Sequence, residues 1–123
     1  YEPAPEIVAK AKDIAVADAK IELINNPVES VKGANAVYTD VWASMGQEEE
    51  QGKRKKSFEP FCLDKQLLEH ASPNAIVLHC LPAHRGEEIS SEVIEGGSSR
   101  IFDQAENRLH VQQALLAALL GGL

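Results

Sequence analysis

Residues 75–82, AIVLHCLP, begin with a run of four apolar residues, Ala75 to Leu78. A histidine, a cysteine, a leucine and a proline follow this run. A short apolar run of this kind predicts a buried strand of a parallel sheet. Open α/β sheets bind their ligands at the carboxyl ends of such strands. We therefore expect the Cys80 thiol to lie at a ligand-binding edge.

A second strand end lies upstream in residues 38–46, YTDVWASMG. β-branched and aromatic residues lead there into Asp40, and a small polar loop containing Ser44 and Met45 follows. Since the carboxyl ends of parallel strands meet at one edge of the sheet, Asp40 and Cys80 are expected at the same edge.

Helical and strand patterns alternate along the whole chain. Helices are predicted over residues 6–20, 64–70 and 106–120, with short helical segments at 27–33 and after the 82–90 loop through residue 95. Strands are predicted over 21–25, 36–40, 75–80 and 100–103. Residues 44–57 lack apolar periodicity and indicate a long functional or flexible loop, of a kind that often closes over a ligand. The alternation predicts an α/β fold of three layers, α/β/α, with a mostly parallel sheet.

The composition is that of one globular domain without nucleic-acid partners. The chain has 123 residues, 44% of them hydrophobic, and a net charge of −7. A nucleic-acid-binding domain needs clustered Lys and Arg, which this balance disfavours. The basic cluster at residues 53–56 is separated from the acidic residues 48–50 by only two residues, and we interpret both as a solvated loop.

Cysteine usage and hydropathy favour a cytoplasmic location. Cys62 and Cys80 lack CxxC spacing, which fits a reducing compartment better than a disulfide framework. The longest apolar run, residues 114–120, is far shorter than the roughly 20 residues of a membrane-spanning helix. No export leader pattern is visible at the start. No membrane partner is expected.

Three motifs stand in the chain in a characteristic order: D-x-x-x-S-M-G from Asp40, H-C-L-P from His79 and A-E-N-R ending at Arg108. Together they resemble ornithine carbamoyltransferase, the family that makes citrulline from ornithine and carbamoyl phosphate. The first motif distinguishes this branch from aspartate-type carbamoyltransferases. The resemblance covers essentially all of residues 1–123, but it matches only the carboxyl-terminal, ornithine-binding half of that enzyme.

The resemblance implies a Rossmann-like domain that belongs to a larger enzyme. It places one strand of this domain immediately before Tyr1, which fits the prediction that the chain begins with a helix rather than a strand. The carbamoyl-phosphate-binding half, with its S-T-R-T-R loop and H-P-x-Q segment, is absent from the sequence. The family uses no cofactor or metal, assembles as a trimer that completes each active site, and serves arginine biosynthesis.

The resemblance gives ornithine-binding roles to Asp40, Ser44 and Met45. Asp40 would hold the substrate ammonium and orient its nucleophilic end, and the Ser44 hydroxyl and Met45 amide would receive the α-carboxylate. The structural alternatives are a solvated turn carboxylate for Asp40 and a plain turn for the other two, with Met45 as a packing residue.

The resemblance places three residues beside carbamoyl phosphate: Cys80, Leu81 and Arg108. Cys80 would lie against the attacking amine, and the Leu81 backbone would face the carbamoyl group. Arg108 would donate hydrogen bonds from its planar guanidinium group to the phosphate. The alternatives are a buried structural cysteine, and a surface ion pair of Arg108 with Glu106 or Asp103.

The remaining polar residues of this region receive structural interpretations. His79 points away from Cys80 if the strand is regular, so we expect it to be structural. His79, Cys80 and His84 lack a fourth ligand, which disfavours zinc. The Leu81-Pro82 bond is a candidate cis peptide, although trans is the commoner form.

Two rival functions remain open at this point. One is a carbamoyltransferase for another amine, such as putrescine or an acylated ornithine, which the carboxylate-binding Ser44 and Met45 disfavour. The other is a noncatalytic amino-acid-binding domain of the same fold. The presence of Asp40, Cys80 and Arg108 together disfavours it, because a binding module has no use for a phosphate-side arginine.

Overall fold

The computed structural model of the chain describes residues 1–43 and 51–121. Helices and strands follow one another along it: α1 Pro5–Asp13, α2 Pro27–Val31, β1 Ala36–Thr39, α3 Gln51–Phe58, α4 Lys65–Leu68, β2 Ile76–His79, α5 Ser91–Ile94 and α6 Ile101–Leu119, with a 3₁₀ turn at Glu59–Phe61. This order confirms the predicted α/β class.

The two strands pair in parallel at the centre of the fold. Ala36 lies opposite Ile76 and Thr39 lies opposite His79. On the other side of β2, the Val77 N–H donates to the Ser98 carbonyl, and its carbonyl accepts from the Arg100 N–H. The shared register makes both strands end at one level, so the residues that follow them lie at one edge.

The core lies on one face of this sheet. Side chains alternate between the two faces of a strand, which puts Val77 and His79 on this buried face and Leu78 on the opposite one. A cluster of apolar residues covers Val77: Leu63, Ile89, Val93, Ile94 and Ile101. Ile101 is the only buried residue of α6, so the first turn anchors this helix.

Two predicted strands do not form. Residues 21–25 remain irregular because no strand pairs with them within the described residues. Their backbone N–H and C=O groups therefore form no inter-strand hydrogen bonds there. Residues 100–103 begin a helix instead, since the Gln104 N–H bonds to the Arg100 carbonyl and the Ile101 side chain fills the core. Only the single bridge between Val77 and Ser99 extends the sheet there.

Helix boundaries also differ from the predictions. α1 ends at Asp13 rather than at residue 20, because none of its residues is buried and Ala17 adopts a φ of 53° that a helix cannot accept. The predicted loop over residues 44–57 is wrong from Gln51 onward, where α3 begins. Its residues 44–50 lie outside the described ranges.

The long helix α6 leaves most of its apolar surface uncovered in the chain. Its exposed apolar side chains include Phe102, Leu109, Val111, Leu115, Leu116 and Leu119. No helix in residues 1–43 or 51–121 has the combination of length and hydropathy required to cross a bilayer.

Candidate active site

The residues that follow the two strands meet at the sheet edge. Asp40 follows β1, Cys80 follows β2, and the Cys80 Sγ lies 3.1 Å from the Asp40 Oδ1. The same oxygen accepts the Val41 N–H at 2.7 Å. Both Asp40 and Cys80 are exposed, so a ligand can reach them. The structure thus brings together the carboxylate and the thiol that the sequence places at two neighbouring strand ends.

The contact with Asp40 changes the acidity of the thiol. The hydrogen bond from Cys80 to the Asp40 carboxylate, partial burial and the carboxylate charge raise the pKa of Cys80, while the polar Tyr38 side chain lowers it. A thiol with a raised pKa keeps its proton at neutral pH, so Cys80 is the donor and the Asp40 Oδ1 is the acceptor of this hydrogen bond.

Replacing Asp40 with asparagine is expected to make Cys80 more reactive. The hydrogen bond to the Asp40 carboxylate and the carboxylate charge both raise the pKa of Cys80. Asparagine weakens the first and removes the second, so the pKa falls and the thiolate fraction at a given pH rises. The rate of alkylation by iodoacetamide, followed on the Cys80 peptide by mass spectrometry, measures this change. Cys62, whose raised pKa comes mainly from burial, is the internal control. A Cys80 rate that stays equal to that of the unsubstituted protein would contradict the prediction.

His79 holds the backbone beside this pair. The ring is completely buried, its Nε2 lies 3.1 Å from the Glu88 Oε1, and its Nδ1 accepts the Leu81 N–H at 2.8 Å. An Nδ1 that accepts a hydrogen bond carries no proton, so Nε2 carries it and donates to Glu88. The burial of the ring confirms the prediction that His79 lies on the face of the strand opposite to Cys80, and both ring nitrogens are engaged within the protein.

Glu88 is the buried residue that the sequence analysis missed. Its side chain is completely buried, and its Oε1 also accepts the His84 N–H at 2.7 Å. Its Oε2 has no hydrogen-bond partner among the described residues and lies 3.9 Å from the His84 Nδ1. No pattern in the sequence distinguished it, because Glu87 beside it is an ordinary surface residue paired with Lys55.

Leu81 adopts an unusual backbone conformation at the centre of the site. Its φ is 57°, in the left-handed region that a leucine rarely enters, and the bond to Pro82 is cis, as the sequence analysis considered. The hydrogen bond from the Leu81 N–H to His79 supports this conformation. The Leu81 peptide is therefore presented to the edge in one fixed orientation.

The side chains at this edge are better suited to hydrogen bonding than to a metal. Potential ligand atoms of Asp40, His79 and Cys80 lie within 4.8 Å of one another. A metal would need a lone pair on His79, but Nδ1 already accepts from Leu81 and Nε2 is engaged with Glu88. The residues named for zinc in the sequence do not gather either, since His84 belongs to the Glu88 side and not to this group.

Arg108 lies on α6 beside a shallow cavity of about 560 Å³. The surface ion pair considered for it is wrong, because Asp103 lies 3.9 Å from Arg100 and Glu106 lies 3.8 Å from His110. The Arg108 side chain is exposed and has no ion pair with any residue in the described ranges. Its guanidinium is thus available to an anion. Leu78 lines the same cavity, which relates Arg108 to the face of β2 that carries Cys80.

Two of the residues predicted to bind ornithine, Ser44 and Met45, lie outside the described residues. The described part of the site therefore contains four predicted residues: Asp40, Cys80, Leu81 and Arg108. Besides Glu88, the sequence analysis missed Tyr38 and Gln104, whose side chains hydrogen bond to each other at 3.1 Å.

Comparison with known proteins identifies relatives of this fold and site. Residues 1–119 match the family model of the aspartate/ornithine carbamoyltransferase Asp/Orn binding domain. The chain is 70% identical over its full length to an ornithine carbamoyltransferase of Prochlorococcus marinus (strain MIT 9313), of which it covers 39%.

Two solved structures share its fold closely. Ornithine carbamoyltransferase from Pyrococcus furiosus superimposes with a TM-score of 0.89 at 49% identity, covering 100% of this chain and 40% of that one. The anabolic ornithine carbamoyltransferase from Campylobacter jejuni gives 0.90 at 42% identity, covering 100% and 41%. The chain thus spans about two fifths of the length of these proteins. It belongs to the aspartate/ornithine carbamoyltransferase family and represents the Asp/Orn binding domain of that family.

Proposed function

We propose that this chain is the ornithine-binding part of a longer ornithine carbamoyltransferase. That enzyme would transfer the carbamoyl group of carbamoyl phosphate to the side-chain amine of L-ornithine, giving L-citrulline and phosphate. The observation that carries the proposal is the contact of 3.1 Å between Cys80 and Asp40 at the common strand edge. It occurs in a chain that is 70% identical to an ornithine carbamoyltransferase over its full length.

The chemistry requires an uncharged amine and a leaving phosphate. The amine nitrogen forms a bond to the carbamoyl carbon, the bond from that carbon to the phosphate oxygen breaks, and phosphate leaves with the electron pair. Before the attack the ammonium of ornithine must lose a proton. Asp40 attracts that ammonium by its charge, and the Asp40 carboxylate, which lies beside the Cys80 thiol, would accept the proton at this edge.

The other residues of the edge would orient the two substrates. Arg108 would bind a phosphate oxygen, which its availability to anions supports. The Leu81 peptide would face the carbamoyl group in the orientation that His79 fixes. Ser44 and Met45 would receive the α-carboxylate of ornithine, which remains a prediction from the motif. These steps use only acid–base chemistry and electrostatics, so no cofactor is required.

The proposal also covers the assembly, the pathway and the location of the enzyme. We propose a homotrimer that acts in arginine biosynthesis in the cytoplasm, without nucleic-acid or membrane partners. The family resemblance supports the trimer and the pathway. Two cysteines that form no disulfide, Cys62 and Cys80, support a reducing compartment, and the net charge of −7 argues against nucleic acid.

Citrulline formation from ornithine and carbamoyl phosphate tests the proposal in three preparations. These are the full-length protein, this chain alone, and this chain mixed with the separately produced amino-terminal part. We expect activity in the full-length protein, none in the chain alone, and recovery in the mixture if the parts associate. Citrulline from the isolated chain would contradict the assignment as an incomplete part. A full-length protein that does not use ornithine as a substrate but carbamoylates putrescine or N-acetylornithine would favour the rival substrates.

A further inference from the structure

The Gln104 side chain of α6 hydrogen bonds to the side of β2 that faces away from β1. On that side, the Val77 N–H and carbonyl bond to the backbone of Ser98 and Arg100. The backbone polar groups of residues two apart point to the same side of a strand, so the His79 N–H points there too. Its acceptor is the Gln104 Oε1 at 3.1 Å. A side-chain oxygen therefore takes the place of a neighbouring strand's carbonyl at the end of β2.

The other end of the same amide reaches β1. The Gln104 Nε2 donates to the Tyr38 hydroxyl at 3.1 Å. A backbone N–H can only donate, so the His79 N–H requires the amide oxygen and leaves the amide nitrogen for Tyr38. β1 ends at Thr39 and β2 ends at His79. One side chain therefore holds α6 against both strands close to their carboxyl ends.

Arg108 lies one helical turn after Gln104. Residues four apart share a face of a helix, and both side chains line the cavity of about 560 Å³ beside Leu78. The helix is anchored earlier by Ile101, which is completely buried. Among the residues that the structure describes, no hydrogen bond joins the part of α6 after Gln104 to either strand. Gln104 is thus the last hydrogen-bonded connection between the strands and the turn that carries Arg108.

We propose that Gln104 is a positioning residue for Arg108. It holds the turn that carries the guanidinium at a fixed place relative to the strand edge of Asp40 and Cys80. The phosphate of one substrate and the amine of the other are thereby aligned for transfer. This inference rests on the proposed function, because it uses Arg108 as the phosphate ligand. The requirement is geometric, since a displacement of about 1 Å from the productive position can reduce the rate about 10²-fold.

Gln104→Met in the full-length protein removes both hydrogen bonds and keeps the length of the side chain. We expect the dissociation constant of phosphonoacetamide, in which CH₂ replaces the bridging oxygen of carbamoyl phosphate, to rise about tenfold. The KM for carbamoyl phosphate should rise with it, and kcat should fall about 10–100-fold. The KM for ornithine should change less than about twofold, because Asp40 belongs to the β1 side of the site. Titration calorimetry and initial rates measure these constants.

Gln104→Glu is the conservative variant that should restore the rate. One carboxylate oxygen can accept the His79 N–H, and the other can accept from the Tyr38 hydroxyl, which is also a donor. Because the new charge lies four residues before Arg108, the comparison uses kcat at saturating carbamoyl phosphate rather than affinity. Gln113→Met, at an exposed position on the opposite side of α6, is the matched control and should leave all these constants unchanged.

A double substitution tests whether Gln104 acts through Arg108. Arg108→Ala removes the guanidinium itself, so adding Gln104→Met to it should change kcat/KM for carbamoyl phosphate by less than about twofold. The same loss with and without the guanidinium would show that Gln104 acts by another route.

The remaining outcomes separate this inference from the proposed function. Unchanged phosphonoacetamide binding and kcat in Gln104→Met would overturn the inference, even if the melting temperature fell, because Gln104 would then serve folding alone. An equal loss in Gln113→Met would overturn it as well. A full-length protein that makes no citrulline, yet binds phosphonoacetamide more weakly in Gln104→Met than when unsubstituted, would retain the role of Gln104 and refute the proposed function.

Discussion

Replacing Asp40 with asparagine in the full-length protein is expected to lower kcat for citrulline formation about 10²–10⁴-fold, the usual range for losing a positioned acid–base group. Asparagine keeps the size of the side chain and an oxygen near the Cys80 thiol, whose sulfur lies 3.1 Å from Asp40. It removes the charge that attracts the substrate ammonium and the carboxylate that accepts its proton. The loss should therefore come from chemistry and not from folding.

The comparison uses initial rates at saturating ornithine and carbamoyl phosphate, with Asp18→Asn as the matched control. Asp18 is exposed and lies in the irregular segment after α1, far along the chain from the strand edge. We expect this control to retain full activity. If Asp40→Asn kept more than about one tenth of the original kcat at pH 7, an acid–base role for Asp40 would be untenable.

Replacing Glu88 with alanine is expected to cost about 2–5 kcal/mol of the free energy of unfolding. The carboxylate is completely buried and its Oε1 accepts hydrogen bonds from His79 and from the His84 N–H. Alanine leaves both donors buried or half-buried without a partner and opens a cavity beside them. Urea denaturation of the full-length protein, followed by the transition that includes this domain, measures the loss.

Two neighbouring substitutions show whether the effect belongs to this network. Glu87→Ala removes the exposed ion pair with Lys55 and should cost less than about 1 kcal/mol. Glu88→Gln keeps an oxygen that can accept from His79 and from His84, so its cost should lie well below that of Glu88→Ala. Equal losses for Glu87→Ala and Glu88→Ala would show that the buried network contributes little.

Replacing Glu88 should also affect catalysis, through the same hydrogen bonds. With Glu88 absent, the His79 ring loses the acceptor that fixes its Nε2 proton, and the Leu81 N–H loses a well-defined partner. The Leu81 peptide would then sample other orientations. We expect kcat to decrease together with stability in Glu88→Ala, and to be largely preserved in Glu88→Gln.

The sequence by itself determined the fold class and the meeting of Asp40 with Cys80. Both residues directly follow short apolar or β-branched segments, and parallel strands necessarily end at one edge. The alternation of residues along β2 likewise determined that His79 and Cys80 face opposite sides. These features are local, because each depends on a few consecutive residues and the geometry of one strand.

Secondary-structure predictions from the local sequence pattern were wrong where tertiary contacts decide between helix and strand. Residues 100–103 have a strand-like composition, yet Ile101 is completely buried as the first residue of α6. Residues 21–25 have a similar composition, but they lack a pairing partner within the described ranges and form no strand. Propensity is a weak preference, so packing and available partners override it in segments this short.

Only the tertiary structure revealed the residues that support the site. Glu88 meets His79 across nine positions, Gln104 meets His79 across 25, and Gln104 meets Tyr38 across 66. Side-chain hydrogen bonds over such separations leave no periodicity in the sequence, since they depend on how the strands and α6 pack together. The sequence therefore contains the reactive groups in readable motifs, whereas the hydrogen bonds that orient them exist only once the chain is folded.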